Sequence, residues 1–81
     1  METRTAEQLA QDYAALGDSV DLINAIIAGD SMADESAEDR QDCVNRNTQH
    51  LEIMVAKEDW GSEDMTATNA AIAAGNGYTA S

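Results

Sequence analysis

From Ala6 onward the apolar positions of this 81-residue chain advance by alternating threes and fours: Ala6, Leu9, Tyr13, Leu16, Val20, Ile23 and Ile27. An α-helix gathers such positions into one stripe, and a mean step of about 3.5 residues is the seam of two helices packed side by side. Strands would need a period of two, and the β-branched residues here are scattered and never alternate over a run. There is no Pro and no Phe, with one Trp and two Tyr, so a core must come mainly from Ala, Leu, Ile, Val and Met. Those side chains suit close helix packing. The seam therefore predicts an all-α chain.

Local signals divide it. Thr5 is placed to cap a first helix, Gln8 stands three residues later at capping-box spacing, and Gly29 supplies a stop after Ala28. The reading is one helix over about 5–28, with Gly17-Asp18 as a place for a bend. Residues 29–35, GDSMADE, read as a loop. A second helix over about 35–59 follows, starting near Asp34 or Ser36 with acids in its first turn, where they complement the helix dipole. Its inner stripe would be Ala37, Gln41, Val44, Thr48, Leu51 and Val55, with Trp60 and Gly61 ending it. Two arms of similar length predict an antiparallel helical hairpin. A shorter third helix is expected over about 63–76, with Ser62 as N-cap, Glu63 and Asp64 in its first turn, and Met65, Asn69 and Ile72 on one face. Gly77 in the left-handed conformation would let Tyr78 fold back on Ala73. No repeat or linker divides residues 1–81, which read as a single small helical domain whose own core is marginal.

Sixteen Asp and Glu against four Lys and Arg leave a net charge of −12. That charge disfavours direct contact with nucleic acid or an anionic membrane and favours basic partners. One cysteine cannot close an internal disulfide. The start METRTAEQLAQD lacks the basic-then-apolar order of a signal peptide, and no apolar run approaches the ~20 residues that span a bilayer. The expectation is a soluble protein made inside a cell.

The stretch CVNRNTQHLEIM holds the only Cys and the only His. Cys43, His50 and Met54 are soft ligand types, yet on a helix Cys43 and His50 stand about 10 Å apart, too far to share one small ion. His50 and Met54 alone make an incomplete site, so no metal and no cofactor is expected. Cys43 as a nucleophile would need a nearby base, and His50 lies two turns away. The carboxylates show no apolar pocket to raise a pKa, and GNG closes a helix where a phosphate loop would open one. No catalytic residue emerges, and the chain reads as a non-enzyme. The acidic stretch DSMADESAED lacks the alternating ligands, central Gly and terminal Glu of an EF-hand loop. Its carboxylates instead form a candidate contact for Lys or Arg of a partner: Asp34, Glu35, Glu38, Asp39 and Asp42. Met54, Trp60 and Tyr78 are candidate anchors on a neighbouring subunit, since Met and aromatics are enriched at interfaces.

The segment RNTQHLEIMVAKEDW followed by EDMTATNAAIAAG, within residues 45–78, resembles small, mostly uncharacterised acidic proteins of tailed bacteriophages. The likeness covers under half the chain, excludes the acidic upstream helix and carries no catalytic signature. It implies a structural or accessory protein of a phage particle, packing helices on capsid, neck or tail subunits in a virion assembled in the host cytoplasm. The rival from another class is an acidic inhibitor or nucleic-acid mimic of a basic host protein, which rests on the charge alone. The heptad seam also allows a homo-oligomer.

Overall fold

The computed structural model describes residues 4–81; residues 1–3, which begin the segment read above for a leader, lie outside it. Three helices follow in order, α1 (Ala6–Ala28), α2 (Ala37–Lys57) and α3 (Thr66–Gly77), and no strand occurs among the described residues. α1 and α2 form the hairpin, α3 packs on both arms, and the whole measures 43 × 19 × 18 Å.

Both arms begin where their hydroxyl caps place them. Thr5 Oγ1 accepts the Gln8 amide at 3.0 Å, and Ser36 Oγ accepts the Asp39 amide at 3.1 Å. Each bond satisfies one of the main-chain donors that a helix start leaves open. α1 ends on Gly29 at φ 84°, where the Gly29 amide donates to Ile26 and the Asp30 amide to Ala25. This paired closure needs a left-handed residue, which glycine adopts without a Cβ penalty. α1 runs unbroken through Gly17.

The core is built at the middle of the hairpin from Leu16, Ile23, Val44 and Leu51, with Val20, Ile26, Trp60 and Ala71 around them. The inner stripe expected for α2 is the one the fold uses: Val44, Thr48 and Leu51 are buried, and Ala37, Gln41 and Val55 are half-buried. The α1 stripe departs from expectation at its end. Ile27 is 39% exposed, whereas Ile26 is buried. A two-helix seam assumed one covering partner, but α1 also meets α3, and its last turn is covered from the side of Ile26.

The second arm and the third helix need larger corrections. α2 stops at Lys57, and Trp60 lies beyond it with its ring folded inward; the indole Nε1 donates at 3.1 Å to the Met54 carbonyl, which also accepts the Glu58 amide that ends the helix. α3 starts at Thr66, three residues later than expected, and Ser62 does not cap it. The intervening residues are committed to a turn. Gly61 takes φ 58°, its amide donates to Asp59 Oδ1 at 2.9 Å, and the Glu63 amide donates to the Trp60 carbonyl at 3.0 Å. α3 buries Thr68, Ala71 and Gly75 and leaves Asn69 exposed, so the inward face lies one step round from the expected one. Gly77 remains in the helix without a positive φ, and Tyr78 turns toward the core instead of onto the exposed Ala73.

Candidate docking surface

Where α1 hands over to α2, the acidic residues singled out from the sequence are brought to one end of the molecule. Asp34 and Glu35 stand in the turn and Glu38 and Asp39 in the first turn of α2, all exposed. None of the four makes an ion pair among the described residues. Asp42, one turn further on, pairs with Arg46 at 3.0 Å on the solvent face. The turn itself is pinned by Met32, whose side chain packs on the core although its backbone sits at φ 56°. A left-handed non-glycine residue persists only where its surroundings hold it, here by burial of the thioether.

Two of the four basic side chains, Arg4 and Arg40, are turned onto the chain itself. Arg4 bonds Asp12 at 2.8 Å, approaches Glu58 at 3.6 Å, donates to the Asp59 carbonyl and stacks over the Trp60 ring at 4.7 Å from its centroid. Arg40 donates to the Glu35 carbonyl and, at 2.7 Å, to the Ser81 carbonyl. Asp34, Glu35, Glu38 and Asp39 outnumber the one cation among them, Arg40, so the field beyond the α1–α2 turn is negative.

The three expected anchors are used within the chain. Trp60 is buried under Arg4, so it does not offer its ring to a neighbour. Met54 and Tyr78 are half-buried and pack against the core. Cys43 is also half-buried, its carbonyl and Sγ facing the Asn47 side-chain amide at 2.8 and 3.6 Å, while His50 points to solvent. The row Cys43, Asn47, His50, Met54 is thus a flank of the hairpin, and no group of three or more His, Cys, Asp or Glu side chains is gathered among the described residues. Asp64 is fully exposed, and its carboxyl is held below the usual 3.8 by the Thr66 hydroxyl and then the Thr66 amide. Such a group stays ionised at neutral pH and has no proton to donate.

One constellation was missed in the sequence. Gln41 spends its whole side-chain amide: Nε2 donates to Asn45 Oδ1 and to the Tyr78 carbonyl, each at 3.0 Å, and Oε1 accepts the Ala80 amide at 2.7 Å. With Arg40 on Ser81, the first two turns of α2 hold residues 78–81 entirely through main-chain atoms. The available signal was a polar residue within an apolar stripe, which needs a partner when half-buried. Beside this segment lies an open groove of about 310 Å³, lined by Ile26, Ile27 and Ala33 as well as Arg40 and Tyr78. No helix among the described residues is long and apolar enough to cross a membrane. The chain matches no family model, curated protein or solved structure.

Proposed function

We propose that the chain is a non-enzymatic docking module, a structural or accessory protein of a tailed-phage particle that packs on capsid, neck or tail subunits. Its acidic end meets basic surfaces of those subunits. The observation that carries the contact is the exposed set Asp34, Glu35, Glu38 and Asp39, none of them ion-paired among the described residues, beside an Arg40 turned onto main-chain carbonyls. The phage setting rests on the likeness of residues 45–78, and on this reading the protein belongs to a virion assembled in the host cytoplasm. Mass spectrometry of purified particles tests it: the protein should appear at a fixed copy number, and its absence would sink the reading.

The same charge of −12 favours a second reading, an acidic inhibitor or nucleic-acid mimic seated in the basic groove of a host protein. Such a protein would be missing from particles and would be retained by a basic host protein in a lysate pull-down, with binding falling steeply as salt rises.

A further inference from the structure

We propose that the first two turns of α2 are a binding site for an extended, basic protein segment, and that residues 78–81 occupy this site in cis. The inference rests on the docking reading above and supplies its binding mode. Gln41 addresses the segment through the carbonyl of Tyr78 and the amide of Ala80, two residues apart, as a neighbouring strand would address an extended chain. Arg40 takes a further carbonyl, that of Ser81. No side chain of the segment is read by these bonds, so any extended chain with an apolar residue at the position of Tyr78 meets the same donors and acceptors.

Three features make the site exchangeable. The amide of Gln41 is oriented from its own helix by Asn45, so the fork keeps its direction when the segment leaves. Thr79 and Ser81 are exposed, and the segment follows Gly77, around which there is open space. Gly75, in contrast, is clamped on Thr48, so α3 stays seated while the residues after it move. Charge selects the rival. The side chains of Tyr78, Thr79, Ala80 and Ser81 are uncharged, while Glu35 and Ala33 adjoin them through Arg40 and the groove, and Asp34, Glu38 and Asp39, in the turn and the first turn of α2, outnumber the one cation there, Arg40. An incoming segment with Lys or Arg at the positions of Thr79 and Ser81 would keep the main-chain bonds and add attraction that the resident segment lacks.

The test titrates acetyl-Tyr-Lys-Ala-Lys-amide into the ¹⁵N-labelled full chain at low salt, following main-chain and side-chain amide resonances. The peptide should move the Ala80 amide and the Gln41 side-chain amide while leaving the α3 interior unchanged. Methylating the peptide's alanine nitrogen should weaken binding by about tenfold, the worth of one lost hydrogen bond in a desolvated contact. The uncharged acetyl-Tyr-Thr-Ala-Ser-amide should bind more weakly than the lysine peptide. Shifts confined to residues 34–39, with Ala80 and Gln41 unmoved and the methylated peptide equally tight, would overturn the site while leaving charge-based docking intact. Absence of any shift would overturn it as well. Neither outcome bears on whether the protein is found in particles, which tests the functional reading separately.

Discussion

At Gly75 the packing of two helices comes down to one missing methyl group. A Cβ there would lie 1.9 Å from Thr48 Oγ1 and 3.0 and 3.1 Å from its Cβ and Cγ2. Thr48 is 2% exposed, and its hydroxyl oxygen has no hydrogen-bond partner among the described residues. The Cα hydrogen of Gly75 that takes the place of a Cβ therefore points at that oxygen, a weak contact of about 0.5–1 kcal/mol that eases the burial of the hydroxyl. Gly75→Ala should destabilise the chain by about 1–3 kcal/mol, because overpacking outweighs the roughly 1 kcal/mol gained in helix propensity. Gly17 lies inside α1 with nothing near its Cβ position, so Gly17→Ala should stabilise by about 0.5–1 kcal/mol. Denaturant melts of the two variants decide it: opposite signs are expected, and equal signs would remove the close approach. Thr48→Ala should recover part of the loss in Gly75→Ala, seen as a coupling in the double-mutant cycle.

The helices differ in how far their own sequences define them, and α3 is the dependent one. No side chain of its N-cap residue closes its first turn; the Thr66 amide is taken instead by Asp64 Oδ1 at 2.9 Å. Bonding from the Thr66 hydroxyl, and then from this amide, favours the ionised form of Asp64, so its folded pKa lies below the usual 3.8. The stability it gives is present above the unfolded pKa and is lost as pH falls through the folded one. Protection of the Thr66 to Asn69 amides, relative to their intrinsic exchange rates, should fall in acid over that window. Asp64→Asn should abolish the pH dependence while keeping an acceptor, and Asp64→Ala should fray the turn at every pH. Unchanged exchange in Asp64→Ala would show that the start of α3 is held elsewhere. The same helix shows where sequence reading stops. The caps Thr5 and Ser36 and the three-four stripes act between near neighbours, so the starts of α1 and α2 and their inner faces, apart from Ile27, were legible. The start of α3 depends on a turn tied to Arg4, just before α1, through the Asp59 carbonyl and to α1 itself by Tyr13 Oη on the Asp64 carbonyl at 2.5 Å, contacts between residues more than fifty apart. Trp60 was misread for a related reason: a buried ring and an interface anchor have the same composition, and only the long-range contact with Arg4 separates them. The carboxylates at the hairpin turn needed no partner within the chain to be placed, and the sequence located them directly.

As a whole, the molecule is a narrow rod carrying far more charge of one sign than its ion pairs neutralise. Among the described residues only Asp12, Glu58 and Asp42 meet a cation within salt-bridge distance, on a body 18–19 Å across. At ~0.01 M ionic strength the screening length is about 30 Å, longer than that width, so carboxylates on opposite sides repel; at ~1 M it is about 3 Å and they do not. Unfolding spreads the charges apart, so low salt favours the unfolded chain. The three ion pairs pull the other way, but Asp42 with Arg46 is exposed and worth about 0–1 kcal/mol, and the Arg4 contacts are backed by stacking on Trp60 that salt leaves in place. Repulsion should prevail: between ~10 mM and ~500 mM sodium chloride the melting temperature should rise by several degrees, since about 1 kcal/mol moves a domain of this size by roughly 4–8 °C. Binding to a basic partner should respond in the opposite direction, weakening over the same range. A melting temperature that falls with salt would mean that the ion pairs of Arg4 and Arg46, and not the surplus of carboxylates, govern the electrostatics of the fold.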